Sequence, residues 1–292
     1  MVGRRTDDDW LSLPEKSVPV KAIQPRAVLG LLLVSSFIGV WIAHLGQSVL
    51  IRLITWSVVV AIGLLAGGLY WRLVLFDPAA FEDDAESRYV RTRWRRLEAI
   101  SVWGLSLAGL VYLTVGTSEK LPGPGGVAFA SGVVFAPLLW FTVHRHAVGD
   151  SSRRKMLLRS GLFVVVLVSL SGFARIETGP NPLDWLVRLG HLGSFALWLG
   201  GAGWHNFVVL PTVRAHPGAK RALKSQARTF RRHLPVVIVV LLVTGAYQSD
   251  RLVGLSVSAL LGSPVGHLIG VKISVLLVLI GLVVATLKRN GG

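Results

Sequence analysis

Apolar runs of about twenty residues recur along this chain, divided by short polar stretches rich in arginine, glycine and proline. Eight runs are read, at about 27–46, 53–75, 98–117, 125–146, 156–174, 185–210, 232–249 and 265–287. At about 1.5 Å of rise per residue, each is long enough to cross a hydrocarbon core roughly 30 Å thick. The pattern predicts an all-α integral membrane protein, a polytopic bundle of about eight transmembrane helices. The connections are short. DPAAFEDDAESRYVRTRWRRLE (77–98) reads either as a short amphipathic helix near the headgroups or as a solvated linker, and TSEKLPGPGG (117–126) and ETGPNPLD (177–184) read as turn-rich loops. RLVGLSVSALLGSP (251–264) is too short and too broken by Gly and Ser to span, so a surface or re-entrant segment is expected. The organisation predicted is a tail (1–26), an N-terminal membrane region of five spans (27–175) and a C-terminal one of three (176–292), with no internal repeat. The polar tail and the lack of a small-residue cleavage site after the first run argue against a removed signal peptide.

Composition sharpens this picture. Hydrophobic residues make up 52% of the 292 and charged ones 16%, with mean hydropathy +0.60, far from the balance of a soluble protein. The net charge of +16 would suggest nucleic acid were it not so unevenly placed. If alternate connections share a side, 24 of the 31 Lys and Arg fall with the two termini. The positive-inside rule then puts both termini in the cytoplasm and the protein in the cytoplasmic membrane. Basic loops can meet anionic lipid headgroups, so membrane lipids are expected partners and nucleic acid is not. The chain has no Cys, which excludes disulfides, thiolate metal sites and iron–sulfur clusters. Its only methionines are Met1 and Met156, so soft ligands for Cu(I) are scarce.

The candidate chemistry lies in the histidines. His191 and His205 sit fourteen residues apart in LVRLGHLGSFALWLGGAGWHNFVVLP. On one helix that spacing is roughly 21 Å along the axis and about 40° around it, so both imidazoles share a face, one near each membrane surface. Counting spans places His267 at the outer level with His191, and His233 at the inner level with His205. Two histidines per level is what bis-imidazole haem ligation needs. His44 and His144 stand at the outer and inner levels as substitutes, or as the third member of a metal site. Gly200 and Gly201, between the paired histidines, would clear backbone beside a flat macrocycle or simply let helices approach. Arg188 and Lys272 are candidate partners for haem propionates, Lys272 alternatively for Asp250. No nucleophile–base triad, phosphate-binding Gly loop or paired intramembrane carboxylates are read, so no catalytic activity in isolation is expected.

The residues HLGSFALWLGG (191–201), LLVTG (241–245) and SPVGHLIGVKISVLLVL (263–279) resemble the CopD copper-resistance family of membrane proteins over about 185–290. The resemblance implies copper uptake or tolerance across the cytoplasmic membrane, with a periplasmic or extracellular copper protein as partner. The family supplies a histidine at His191 but does not require His205, His233 or His267. Where it usually has Tyr-Gly-Arg before the last span, this chain has Val265, Gly266 and His267. The extra histidines are similar instead to the dihaem cores of b-type cytochromes. Three readings follow. The first is a transmembrane electron-transfer protein, with two haems b held by His191/His267 and His205/His233, serving a quinone pool or other redox partner. The second is a copper transporter with an outer site of His44, His191 and His267. The third is a structural subunit of a membrane complex. Residue chemistry favours haem and the family resemblance favours copper.

Overall fold

A computed structural model describes residues 25–115, 123–145, 152–254 and 256–289. Residues 1–24 of the tail, most of the 117–126 loop, and His146 lie outside the described residues. Among those described, the structure is all helical: α1 (Pro25–Ala43), α2 (Val49–Leu75), α3 (Asp84–Val115), α4 (Pro124–Arg145), α5 (Ser152–Thr178), α6 (Pro182–Trp204), α7 (Leu210–Ala215), α8 (Lys220–Val253), α9 (Val257–Gly262) and α10 (Pro264–Arg289). A π-helical turn, His205–Val209, joins α6 to α7.

Eight of these helices have nineteen residues or more, matching the eight predicted spans. Seven are apolar enough along their length to cross a membrane, and α6 is the exception. Its Gly, His and Trp residues dilute its hydropathy, and its position explains why that is tolerated. It packs against α2, α8, α5, α1 and α3 at the centre of the bundle, with Leu192, Ala196, Trp198, Leu199 and Trp204 buried. A helix shielded from lipid by its neighbours has less need of an apolar exterior. The outer helices show the converse pattern. On α3, Ile100, Trp103, Leu107 and Leu110 form a stripe at helical spacing that is 57–70% exposed in the protein alone. A stripe that large is unfavourable in water and matches a lipid-facing surface. The chain is a multi-pass membrane bundle.

Two predicted boundaries are corrected. Residues 84–98 are neither a separate surface helix nor a linker, because α3 runs unbroken from Asp84 into its span. Val90, Trp94 and Leu97 recur at three- and four-residue intervals and pack with Trp71, Trp204, Val208 and Leu223 in a small core at the arginine-rich end. The 212–232 connection is likewise mostly helix, the first turns of the 34-residue α8. The 251–264 segment forms the short helix α9 after a turn at Gly254 (φ +73°), a left-handed conformation that favours glycine. It is largely exposed.

Helix approach at the centre depends on glycine. A Cβ on Gly67 would fall 1.8 Å from the Ala196 carbonyl oxygen, and one on Gly200 would fall 2.3 Å from the Gly67 carbonyl carbon. Here α2 and α6 meet backbone to backbone, as small residues permit between membrane helices. Trp71 fastens the same interface, its indole donating to the Leu197 carbonyl at 2.7 Å.

Candidate functional site

At the end of the bundle opposite the arginine-rich connections, a cavity of about 310 Å³ lies among α1, α6, α8 and α10. Its walls are mostly apolar, including Leu32, Phe195, Trp198 and Ile269, while its polar groups are His191, Lys272, Arg188 and Gln248 with Ser35, Ser36 and Ser249. A chiefly apolar cleft with a few convergent polar groups, in this size range, is the usual form of a small-molecule site.

Helix geometry delivers those groups. Arg188 and His191 lie three residues apart on α6, and Thr244 and Gln248 lie four apart on the facing turns of α8. The His191 ring lies against Gly245, where an added Cβ would be 3.6 Å from its Cε1. Its Nδ1 is 3.0 Å from the Thr244 hydroxyl oxygen. That hydroxyl spends its own proton on the Val240 carbonyl one turn back. It therefore accepts from His191, which places the imidazole proton on Nδ1 and leaves Nε2 with its lone pair. This is the tautomer that a ligating histidine needs, held by the kind of partner that orients such ligands.

Lys272, on α10, is the second element. Its ammonium lies over Gly39 of α1, 3.0 Å from where a Cβ would stand. Gly39 therefore makes room for it. Among the described residues no ion pair or hydrogen bond ties this ammonium, and its charged neighbour is another cation, Arg188. No contact joins it to Asp250, the partner considered from sequence, which is exposed at the end of α8.

Arg188 is shared with a buried carboxylate that the sequence reading assigned to a loop. Glu177 belongs to the last turn of α5, with its side chain 7% exposed. His44 Nε2 donates to its Oε2 at 2.9 Å, Tyr112 donates to its Oε1 at 2.9 Å, and Arg188 Nη2 reaches Oε2 at 3.4 Å. Arg188 also donates to Gln248 Oε1 at 3.0 Å, which ties the carboxylate cluster to the cavity wall. The signal was present: Leu170, Phe173, Ala174 and Ile176 carry the buried α5 face to within a residue of Glu177. A second buried carboxylate, Glu98, lies at the arginine-rich end, bonded to Arg72 and 3.7 Å from His144 Nε2. Each end of the bundle thus holds a buried acid with cationic partners, Glu177 at one and Glu98 at the other.

The other predicted residues divide by level. His267 is exposed, and its Nε2 bonds the Leu261 carbonyl at 2.7 Å, closing the turn between α9 and α10. It does not line the His191 cavity, and His44 is engaged by Glu177. Among the described residues no group of three or more His, Asp or Glu is arranged to hold a metal ion. At the other level, His205 opens the π-helical turn and His233 donates from Nδ1 to the Thr229 carbonyl at 2.9 Å. The two are bridged through a run of rings, His205–Trp204–Phe230–Trp71–His233, with neighbouring centroids 4.9–6.4 Å apart. Phe230 occupies the space beside Gly201, where a Cβ would fall 2.1 Å from its ring. Gly200 faces α2, and His144 bonds back to the Trp140 carbonyl at 2.7 Å.

The chain matches no family model, no curated protein and no solved structure. The functional reading therefore rests on the site itself.

Proposed function

We propose that this chain is a membrane-embedded electron-transfer protein whose His191 cavity holds an amphipathic redox cofactor bearing anionic groups, with haem b the first candidate. The observation that carries the reading is that His191, Lys272 and Arg188 line one mainly apolar cavity. His191 Nε2 would hold the group, Thr244 would orient that imidazole, and Lys272 and Arg188 would meet its anionic substituents. Bound there, the group would supply one-electron chemistry in the half of the membrane away from the basic connections. The positive-inside rule makes that half the outer one. Haem at this site has one histidine within the cavity rather than the pair of His191 and His267 drawn from sequence. A second haem at His205 and His233 would require the Trp204, Phe230 and Trp71 rings that link the two histidines to rearrange.

Charge weighs against a bare copper ion in the same place. Two like unit charges about 6 Å apart repel by about 3 kcal/mol at an effective dielectric near 20. Of the two cations around His191, Arg188 is paired with Glu177, while Lys272 has no carboxylate partner among the described residues. An anion gains what a cation loses. The CopD-like reading, with His44, His191 and His267 as a loading site, also lacks convergence of its three ligands in this arrangement.

The test is chemical quantification of the detergent-purified protein. Haem by its pyridine complex, and copper by elemental analysis, are measured on one sample. Haem near one per chain supports the proposal. Stoichiometric copper without haem transfers the assignment to the CopD-like transporter, and neither leaves a structural subunit.

A further inference from the structure

A second cavity, about 700 Å³, opens at the arginine-rich end between α1, α3, the π-helical turn and α7. Three guanidiniums line it, Arg26 from α1, Arg93 from α3 and Arg214 from α7, and no carboxylate does. Among the described residues, no ion pair neutralises any of the three. Arg93 lies over the Tyr89 ring, 5.4 Å from its centroid, with Nε buried and unbonded. Convergence of three unneutralised cations from separate elements is unfavourable unless an anion joins them. Tyr89 and Asn206 add two uncharged polar side chains, and the remaining lining is apolar: Leu29 on α1, Pro211, Ala215, and Phe207, which is 48% exposed on the bundle surface. Arg26 stands in the first turn of α1 and Arg214 in the last turn of α7, at the polar boundary of the membrane-crossing bundle.

We infer that this cavity binds the phosphate of an anionic phospholipid, with the acyl chains leaving over Phe207 and Leu29. Guanidinium forks grip phosphate oxygens bidentately, which suits a site built from arginine rather than lysine. The apolar side distinguishes a lipid from a soluble phosphate, which would have no use for it. A zwitterionic headgroup would carry its own cation into the arginine cluster, so the site selects anionic lipid.

The test uses the full chain in nonionic detergent, titrated with dioleoyl phosphatidylglycerol or dioleoyl phosphatidylcholine, with bound lipid counted by native mass spectrometry. The expected result is a saturable phosphatidylglycerol adduct that phosphatidylcholine does not reproduce. Arg93→Gln and Arg214→Gln each weaken it about tenfold, the scale of one lost charge-assisted contact. Arg221→Gln, which removes only an exposed pair with Glu82, leaves it unchanged. Unfolding temperatures are recorded in parallel, and Arg26→Gln, exposed at the start of α1, replaces any variant that fails to fold. Equal binding of the two lipids, or wild-type affinity in the arginine variants, overturns the inference. Displacement of the lipid by millimolar inorganic phosphate also overturns it, reassigning the cluster to a soluble phosphate.

Discussion

Thr244 holds His191 through Nδ1 at 3.0 Å while donating its own proton to the backbone of α8. This fixes one tautomer of one histidine in the wall of a cavity, with Nε2 available. Thr244→Val keeps the side-chain volume and removes the oxygen. We expect cofactor affinity to fall about 10- to 100-fold, the usual effect of deleting a group that orients a ligand. Titration of the cofactor into stripped protein measures it, and unchanged affinity would remove Thr244 from the account.

Lys272 is expected to act through charge. Lys272→Met retains the apolar stem and deletes an ammonium that no described carboxylate balances. A nearby cation favours the reduced, more negative form of the cofactor, so its loss lowers the midpoint potential, on the order of tens of millivolts. Potentiometric titration of both proteins gives the shift. A rise in potential would contradict the assigned role.

His267→Ala should leave cofactor content and spectrum unchanged, since the ring bonds the Leu261 carbonyl outside the cavity. Loss of the cofactor in this variant would restore the pairing of His191 with His267 suggested by sequence.

Glu177 accepts from His44, Tyr112 and Arg188 together. Glu177→Gln leaves the Arg188 cation partly buried without a carboxylate, a change that costs about 3–5 kcal/mol in comparable buried pairs. Tyr112→Phe removes one hydrogen bond and should cost only about 1–2 kcal/mol. Thermal unfolding in detergent ranks the two. Equal effects would show that Glu177 is not the hub.

The eight spans were legible because burial in lipid demands long apolar runs, and 185–210 reads as one of them even though the Gly, His and Trp of α6 dilute its hydropathy. The register of side chains around each helix was not. His267 and Lys272 share α10, five residues apart, yet Lys272 lines the cavity while His267 faces outward. Depth can be counted along a sequence, but facing depends on which neighbour lies alongside. Gly201 shows the same limit. A cleared face beside a macrocycle and a socket for Phe230 leave the same glycine in the sequence, and the neighbouring helix decides between them. Glu177 was misplaced for a different reason: turn residues after it outweighed the buried α5 face leading up to it.

The α2–α6 contact gives a prediction independent of any cofactor. Gly67→Ala drives a methyl into the Ala196 carbonyl, whereas the next position, Gly68, has nothing within 4 Å of an added Cβ. Gly67→Ala should destabilise by about 1–3 kcal/mol, the typical cost of overpacking, and Gly68→Ala should be close to neutral. Paired melting curves decide it, and equal behaviour would dissolve the close backbone approach.

The most direct test of the central claim is the dithionite-reduced minus oxidised optical spectrum of the purified protein beside His191→Ala. The account predicts a haem α-band in the wild type that is absent or strongly diminished in the variant, with both proteins folded. A featureless wild-type spectrum, or a band that survives the substitution, would contradict it.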